Sequence, residues 1–271
     1  MTGKAIRLSK LFSDGHHPVI VAVDHGQTFG PMEGLTPFTP AVERLEEADG
    51  VLIVPQMIRF AGNLFHGKDT PTLIARLNWN TIHCEPWHYQ HSYPVRACSA
   101  ATAVAAGAEI VLASLVQKTG SERNDADNVR VFAELAEEAS GLGVPIIGEV
   151  FPIGGLRDRP AEFHDYIKKG CRIACELGAD AIKTYYTGER FSEVTAGVPI
   201  PVCALGAERT EKEVDALELA HKAVSAGARG VVFGRNVLQA EDPARFLRAL
   251  KDVVQKGMTP AEAAALHNMG G

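Results

Sequence analysis

Lys183 stands inside the apolar run Ala181-Ile182-Lys183-Thr184-Tyr185. A charged ammonium with no partner there is costly to desolvate, so its pKa is expected to fall toward a value at which the free amine exists. A neutral amine is a Schiff-base nucleophile for a carbonyl compound. The structural reading of the same residue is a lysine ion-paired to Asp24 or Glu149, and spacing alone does not separate the two. Asp24 closes another apolar run, Val19–Asp24, and is followed by His25 and Gly26. Its carboxylate could hold Lys183 and move the protons that carbinolamine formation, dehydration and C–C cleavage require. It could also merely cap the turn at Gly26, and His25 carries the same ambiguity. Glu149, near the end of the run Pro145–Val150, is the candidate for a second acid/base.

A second constellation suits an anion. Phe233-Gly234-Arg235-Asn236-Val237 precedes Asp242-Pro243, which opens another helix. Glycine lets backbone N–H groups approach a phosphate, a short helix presents its N-terminus, and Arg235 adds a fork of donors. The turn Leu205-Gly206-Ala207 is its expected partner.

These residues need elements to hold them. Short apolar, β-branched runs read as eight strands: Val19–Asp24, Val51–Pro55, Thr72–Leu77, Ile110–Ser114, Pro145–Val150, Asp180–Thr184, Pro201–Leu205 and Gly230–Phe233. Their near-continuous apolar character is that of parallel strands covered on both faces. Helical patterns fill gaps between them. Ala126–Ser140 places Val129, Phe132, Ala133 and Ala136 on one stripe; Ala161–Leu177 places Phe163, Ile167, Ile173, Ala174 and Leu177; Lys212–Ala226 places Val214, Leu217, Ala220, Ala223 and Val224. Gly141, Gly178 and Gly227 are expected just past these helices as left-handed caps. Eight βα units in about 250 residues fit an α/β fold of the closed (β/α)8 TIM-barrel type. No linker or composition shift divides the chain, so residues 1–271 read as one domain with a C-terminal helical extension at about 259–271. The alternative, an open doubly wound sheet, would want a GxGxxG turn after an early strand, and none is present. In a barrel, Asp24, Glu149, Lys183 and Gly234-Arg235 all fall at the C-terminal strand ends, where active sites form, and the loops after strands 7 and 8 are the usual phosphate cradle.

Composition narrows the partners. The 27 Lys+Arg against 33 Asp+Glu give a net charge of −6 with no basic block, a poor match to a nucleic-acid backbone. No apolar run reaches the roughly 18–20 residues of a membrane span, and the N-terminus lacks the pattern of a signal peptide, so a cytoplasmic protein is expected. The five cysteines, Cys84, Cys98, Cys171, Cys175 and Cys203, are odd in number and form no CxxC pair. They read as small buried side chains in a reducing compartment.

The segments Ala22-Val23-Asp24-His25-Gly26 with Gly30-Pro31, Ile182-Lys183-Thr184-Tyr185-Tyr186, and Gly234-Arg235-Asn236 resemble the archaeal-type class I fructose-bisphosphate aldolases. They are still more similar to the autoinducer-2 phosphate-processing thiolase of the same superfamily. The likeness runs from about Pro18 to Val254 and is strongest over Ala181–Val254. It implies that Lys183 is the Schiff-base lysine, Asp24 a catalytic acid/base, and Gly206, Gly234 and Arg235 the phosphate site. It further implies a lyase or transferase working on a phosphorylated keto compound without metal or other cofactor, in a large homo-oligomer that is commonly a decamer.

Two positions depart from that pattern. The aldolases of this type carry a tyrosine acid/base after strand 5 in a Tyr-Pro-Arg-Gly context, where this chain reads Phe151-Pro152-Ile153-Gly154. A phenyl ring transfers no proton, so Glu149, Tyr185 or a water held by Asp24 must do that work, or the reaction differs. The Gly-Gly phosphate turn after strand 7 is Gly206-Ala207 here, which keeps N–H donors with less backbone freedom. The loop at 78–91 gathers both tryptophans with His83, Cys84, Glu85, His88 and His91. It could bind zinc, although its spacing matches no standard ligand pattern; it could also be a solvated lid, a subunit contact or a pocket wall. The expectation is therefore a class I aldolase, with a coenzyme A-dependent acyltransferase, a metal-dependent aldolase and a non-catalytic phosphosugar-binding barrel as alternatives.

Overall fold

The structure is a computed structural model that describes residues 3–13 and 15–269. Eight parallel strands close into a barrel: β1 (Val19–Ala22), β2 (Gly50–Ile53), β3 (Thr72–Arg76), β4 (Ile110–Leu115), β5 (Ile146–Val150), β6 (Ala181–Tyr185), β7 (Val202–Leu205) and β8 (Gly230–Phe233). Each pairs with its neighbours in sequence, and β8 closes the ring on β1. The expected (β/α)8 TIM barrel is what forms. The gap between β2 and β3 carries the 3-10 helix Pro55–Phe60 in place of an α-helix. Pro55, expected inside strand 2, instead opens that helix, where its missing N–H costs nothing.

Alternate residues of each strand enter two different cores, which is why the strands read as continuous apolar runs. Ile20, Ala22, Leu52, Ile74, Ile110, Leu112, Ile147, Ala181, Cys203 and Val232 fill the barrel interior together with Leu11. Val19, Val21, Val51, Ile53, Val111 and Ile146 point outward and pack against the helices. The interior cluster is apolar, and the charged residues of the strands, Arg76, Glu149 and Lys183, lie toward its C-terminal end.

The longer helices start earlier or later than their hydrophobic stripes suggest. Glu122–Gly141 begins where the Ser121 side chain accepts from Asn124 N–H at 3.3 Å; the expected Phe132 and Ala136 are buried together with Val131, Leu135 and Ala139, and the expected Val129 and Ala133 are partly buried, Val129 packing against the core. Gly141 ends that helix from inside it; the left-handed residue is Gly143, at φ 68°. Gly178 and Gly227 do take positive φ. In Pro160–Glu176 the buried face holds Phe163, Ile167, Cys171 and Ala174, while the expected Ile173 faces solvent. Glu213–Ser225 buries Leu217, Ala220 and Ala223 as expected. Helix Pro260–Leu266 is fastened by a capping box between Thr259 and Glu262; Gly270 and Gly271 of the expected extension lie outside the described residues.

Among the described residues no helix is long and apolar enough to cross a membrane. All five cysteines are free, and four of them are buried, with burial pushing the Cys171 and Cys203 thiols up to about 12. Because Leu112 is enclosed on all sides inside the barrel, Leu112→Ala should destabilise the protein by about 2–5 kcal/mol and lower its thermal unfolding midpoint by several degrees, measured by circular dichroism.

Candidate active site

All nine residues singled out from the sequence, Asp24, His25, Glu149, Lys183, Tyr185, Gly206, Ala207, Gly234 and Arg235, line one cavity at the C-terminal mouth of the barrel. Strand register explains half of it. Ser114 of β4 is level with Glu149 of β5, which is level with Lys183 of β6. Residues level on adjacent parallel strands project to the same face, so these three side chains form one polar row directly above the apolar interior. Tyr185, two residues beyond Lys183, faces the same way.

Lys183 Nζ is 2.6 Å from Glu149 Oε1. The premise of an unpartnered ammonium is thus corrected, and of the two partners weighed from the sequence the structure selects Glu149. Asp24 is held instead by Arg76, whose Nε donates to Asp24 Oδ2. The same guanidinium donates from Nη1 to Ser114 Oγ at 2.7 Å and from Nη2 to Glu149 Oε2 at 2.8 Å. Ser114 Oγ in turn donates to Glu149 Oε2 at 2.6 Å. Arg76 was missed in the sequence although it interrupts the apolar run Thr72–Leu77 just as Lys183 interrupts its own. The desolvation argument that singled out the lysine applies equally to it.

Electrostatics fix the protonation states. Burial alone would raise the Asp24 and Glu149 carboxyls, but Arg76 and Lys183 outweigh it, holding Asp24 below and Glu149 well below their ordinary values. Burial lowers His25 and His83 to about 4, so both imidazoles are neutral at pH 7. Burial pushes the Tyr185 phenol above its ordinary value, and it keeps its proton. His25 Nδ1 is 3.9 Å from Asp24 Oδ1 and is sealed without a hydrogen-bond partner.

The opposite wall is backbone and Arg235. Among the described residues the N–H groups of Ala207, Gly234, Arg235 and Asn236 donate to no protein acceptor. Gly206 differs from expectation: its N–H is taken by Val232 O at 3.2 Å, so it shapes the turn without being a spare donor. A Cβ on Gly206 would meet the Phe233 ring at 2.8 Å, and one on Gly234 would meet His25 Cε1 at 2.2 Å, so both glycines are required for close approach. Ala207 takes the left-handed conformation, φ 54°, that a second glycine would take without strain. Asn236 Nδ2 donates to Gly206 O at 2.8 Å and ties the two loops together. Arg235 lies over the Phe29 ring at 5.5 Å with half-exposed Glu85 at 3.9 Å.

The 78–91 loop is a wall of this cavity. Asn78–Asn80 pairs antiparallel with Pro94–Arg96, and the Asn78 side chain both donates to and accepts from the Ser114 backbone at 2.8 Å. His83 and Glu85 reach the cavity; His83 Nε2 is 3.0 Å from Ser114 Oγ. Among the described residues no group of three or more His, Cys, Asp or Glu side chains is arranged to hold a metal, so His83, His88 and His91 are not gathered into a zinc site. Beyond Glu85, Phe151 and Tyr185 a second cavity of about 780 Å³ opens between this loop and residues 151–158.

Known proteins agree with this architecture. A relative from Saccharolobus solfataricus, named an uncharacterized aldolase, is 31% identical over 270 residues, spanning 97% of this chain and 98% of its own. A 3-hydroxy-5-phosphonooxypentane-2,4-dione thiolase from Enterobacter sp. is 27% identical over 268 residues, spanning 96% of this chain and 84% of its own. Among solved structures, an archaeal fructose 1,6-bisphosphate aldolase superposes with a TM-score of 0.78 at 27% identity, covering 93% of this chain and 99% of that one. Another archaeal fructose-1,6-bisphosphate aldolase, described with its catalytic lysine bound to a carbinolamine intermediate, gives 0.77 at 27% identity, covering 92% and 98%. Residues 18–240 match the profile described as DeoC/LacD family aldolase, and the chain belongs to that family.

Proposed function

We propose that this enzyme is a class I aldolase, forming or cleaving a C–C bond in a phosphorylated ketose or related phosphorylated keto compound through an imine on Lys183. The observation that carries the reading is the placement of Lys183 Nζ, 2.6 Å from Glu149, in the same cavity as Arg235 and the spare N–H groups of Ala207, Gly234 and Arg235. Within the buried row the charges of Arg76 and Lys183 balance those of Asp24 and Glu149. Arg235 adds a cation beyond that balance, next to unspent backbone donors, which suits a dianionic phosphate.

In the first step the Lys183 ammonium gives a proton to Glu149 Oε1, and the freed amine attacks the substrate carbonyl. The adduct oxygen takes one proton from the attached nitrogen and the other back from Glu149 and leaves as water, giving an iminium ion and restoring the carboxylate. That cation draws the electron pair of the breaking C–C bond into an enamine as the departing carbon's hydroxyl gives its proton to a basic group of the cavity and leaves as the aldehyde. Asp24, held by Arg76 beside His25, keeps a negative charge near the iminium. Tyr185, with its proton retained, serves as a hydrogen-bond donor to substrate oxygen.

The thiolase relative and the 780 Å³ cavity favour a second reading: an imine on a phosphorylated diketone whose acyl fragment passes to coenzyme A. Product formation from such a diketone that requires coenzyme A would select this reading; aldehyde release without it would select the aldolase. Incubation with dihydroxyacetone phosphate and borohydride should leave a reduced adduct on Lys183, read by peptide mass spectrometry, and Lys183→Ala should abolish it. No adduct with this or any related phosphorylated ketone would sink the imine, and chelator-sensitive turnover would point to a metal instead. Arg235→Ala should raise KM for a phosphorylated substrate by about 10- to 100-fold with a smaller change in kcat.

A further inference from the structure

We propose that His83, carrying its proton on Nε2, is a catalytic base of this site, its Nδ1 taking the proton released as the iminium intermediate on Lys183 becomes an enamine. The inference rests on the Schiff-base reading and adds to it the group that moves this proton.

The tautomer follows from Ser114. Its hydroxyl has one proton, and that proton is committed to Glu149 Oε2 at 2.6 Å. Its oxygen then faces two nitrogens, Arg76 Nη1 at 2.7 Å and His83 Nε2 at 3.0 Å. Arg76 is always a donor, and an oxygen without a further proton can only accept from His83, so Nε2 bears the hydrogen. In a neutral imidazole the basic lone pair is then on Nδ1. That atom makes no hydrogen bond among the described residues, yet it is not one of the sealed, unpartnered nitrogens, in contrast to His25 Nδ1. His83 lines the cavity that holds Lys183, and Nδ1 is the ring nitrogen that its contact with Ser114 leaves open.

The other candidates are occupied. Both oxygens of Glu149 are engaged, Oε1 by Lys183 and Oε2 by Arg76 and Ser114, and Asp24 is clamped by Arg76. The Tyr185 phenol holds its proton under a covering Arg157 guanidinium, 4.9 Å above the ring. Phe151 has no proton to give, and its ring meets the His83 ring edge-on, centroids 4.4 Å apart, bracing the imidazole from the side.

His83 is also rigidly delivered. Asn80 accepts from Ile82 N–H at 3.2 Å, and the Asn80 side chain is locked to Asn128 at 2.9 Å and Ser92 at 3.0 Å, all three buried. When Nδ1 accepts a proton, the imidazolium has Glu149 Oε2 at 3.9 Å from Nε2 to stabilise its charge. For a bound phosphoketone the electrons balance simply. The α-carbon gives its proton to Nδ1, the C–H pair forms the enamine double bond, and the iminium nitrogen becomes neutral. Return of a solvent-derived proton from Nδ1 to carbon reverses the step. In cleavage the same nitrogen takes the hydroxyl proton of the departing aldehyde carbon.

The experiment follows exchange of the hydroxymethyl protons of dihydroxyacetone phosphate in D2O by NMR, alongside borohydride trapping on Lys183. His83→Gln retains a donor toward Ser114 and loses the base. It should slow exchange by about 10²- to 10⁴-fold while the Lys183 adduct still forms. His83→Ala should lose exchange likewise and regain part of it with added imidazole, a rescue that a merely structural role would not produce. Exchange that survives His83→Gln would overturn the proposal, as would loss of the adduct together with exchange, which would make His83 a positioning residue. Absence of an adduct in the unchanged protein with any phosphorylated ketone would overturn the Schiff-base reading itself, and needs no variant to be seen.

Discussion

Two buried carboxylates, Asp24 and Glu149, face the mouth of the barrel, and Arg76 spans them with donors from Nε and Nη2. Lys183 offsets only one of the two charges, so without Arg76 the other would stand uncompensated in a low-dielectric space, which favours its protonation. Removing one partner of such a buried cluster typically costs about 3–5 kcal/mol, because the remaining charge is left uncompensated. The planar fork of arginine suits the task, since it places separate N–H groups on separate acceptors in fixed directions. With Arg76 on Glu149 Oε2, the other oxygen is left to meet Lys183, and the amine acquires both a partner and an aim.

This charge cluster needs an apolar floor and a polar lid. The floor is the barrel interior, where side chains from all eight strands exclude water and polar atoms alike. The lid is the loop after β3, fastened through Asn78 to the Ser114 backbone and through Asn80 to Asn128 on helix Glu122–Gly141. A loop with polar side chains buried this far is tolerable only because each is paired, and the pairing gives the loop one position instead of many. His83 and Glu85 therefore belong to the cavity as firmly as the strand residues do.

The wall of unspent backbone donors is built differently. Ala207, Gly234 and Arg235 present backbone N–H groups whose directions are set by the chain itself, and Asn236 holds the two loops at a constant separation. Preorganised donors of this kind need no reorganisation when a charged group arrives. The same cavity holds the Lys183 amine and the unspent backbone N–H groups beside Arg235, with the larger second cavity leading away past Phe151.

The eight strands, their parallel arrangement and the strand-end positions of Asp24, Glu149, Lys183, Gly234 and Arg235 were legible in the sequence, because a strand buried on both faces leaves an apolar run and any charge in it stands out. Local pattern is enough for that. Arg76 carried the same signal in the run Thr72–Leu77 and needed only the argument already applied to Lys183. Which carboxylate pairs with the lysine is another matter, since it depends on the register of β5 against β6 and on where Arg76 reaches from β3, neither of which any one segment encodes. The same holds for His83, which reads as one histidine among several in an irregular loop until Ser114, 31 residues later on the next barrel strand, decides which of its nitrogens bears the proton. Sequence periodicity determined the scaffold and the residues able to do chemistry. Only the closed barrel, by bringing distant strand ends within hydrogen-bond distance, decided their partners and hence their charge states.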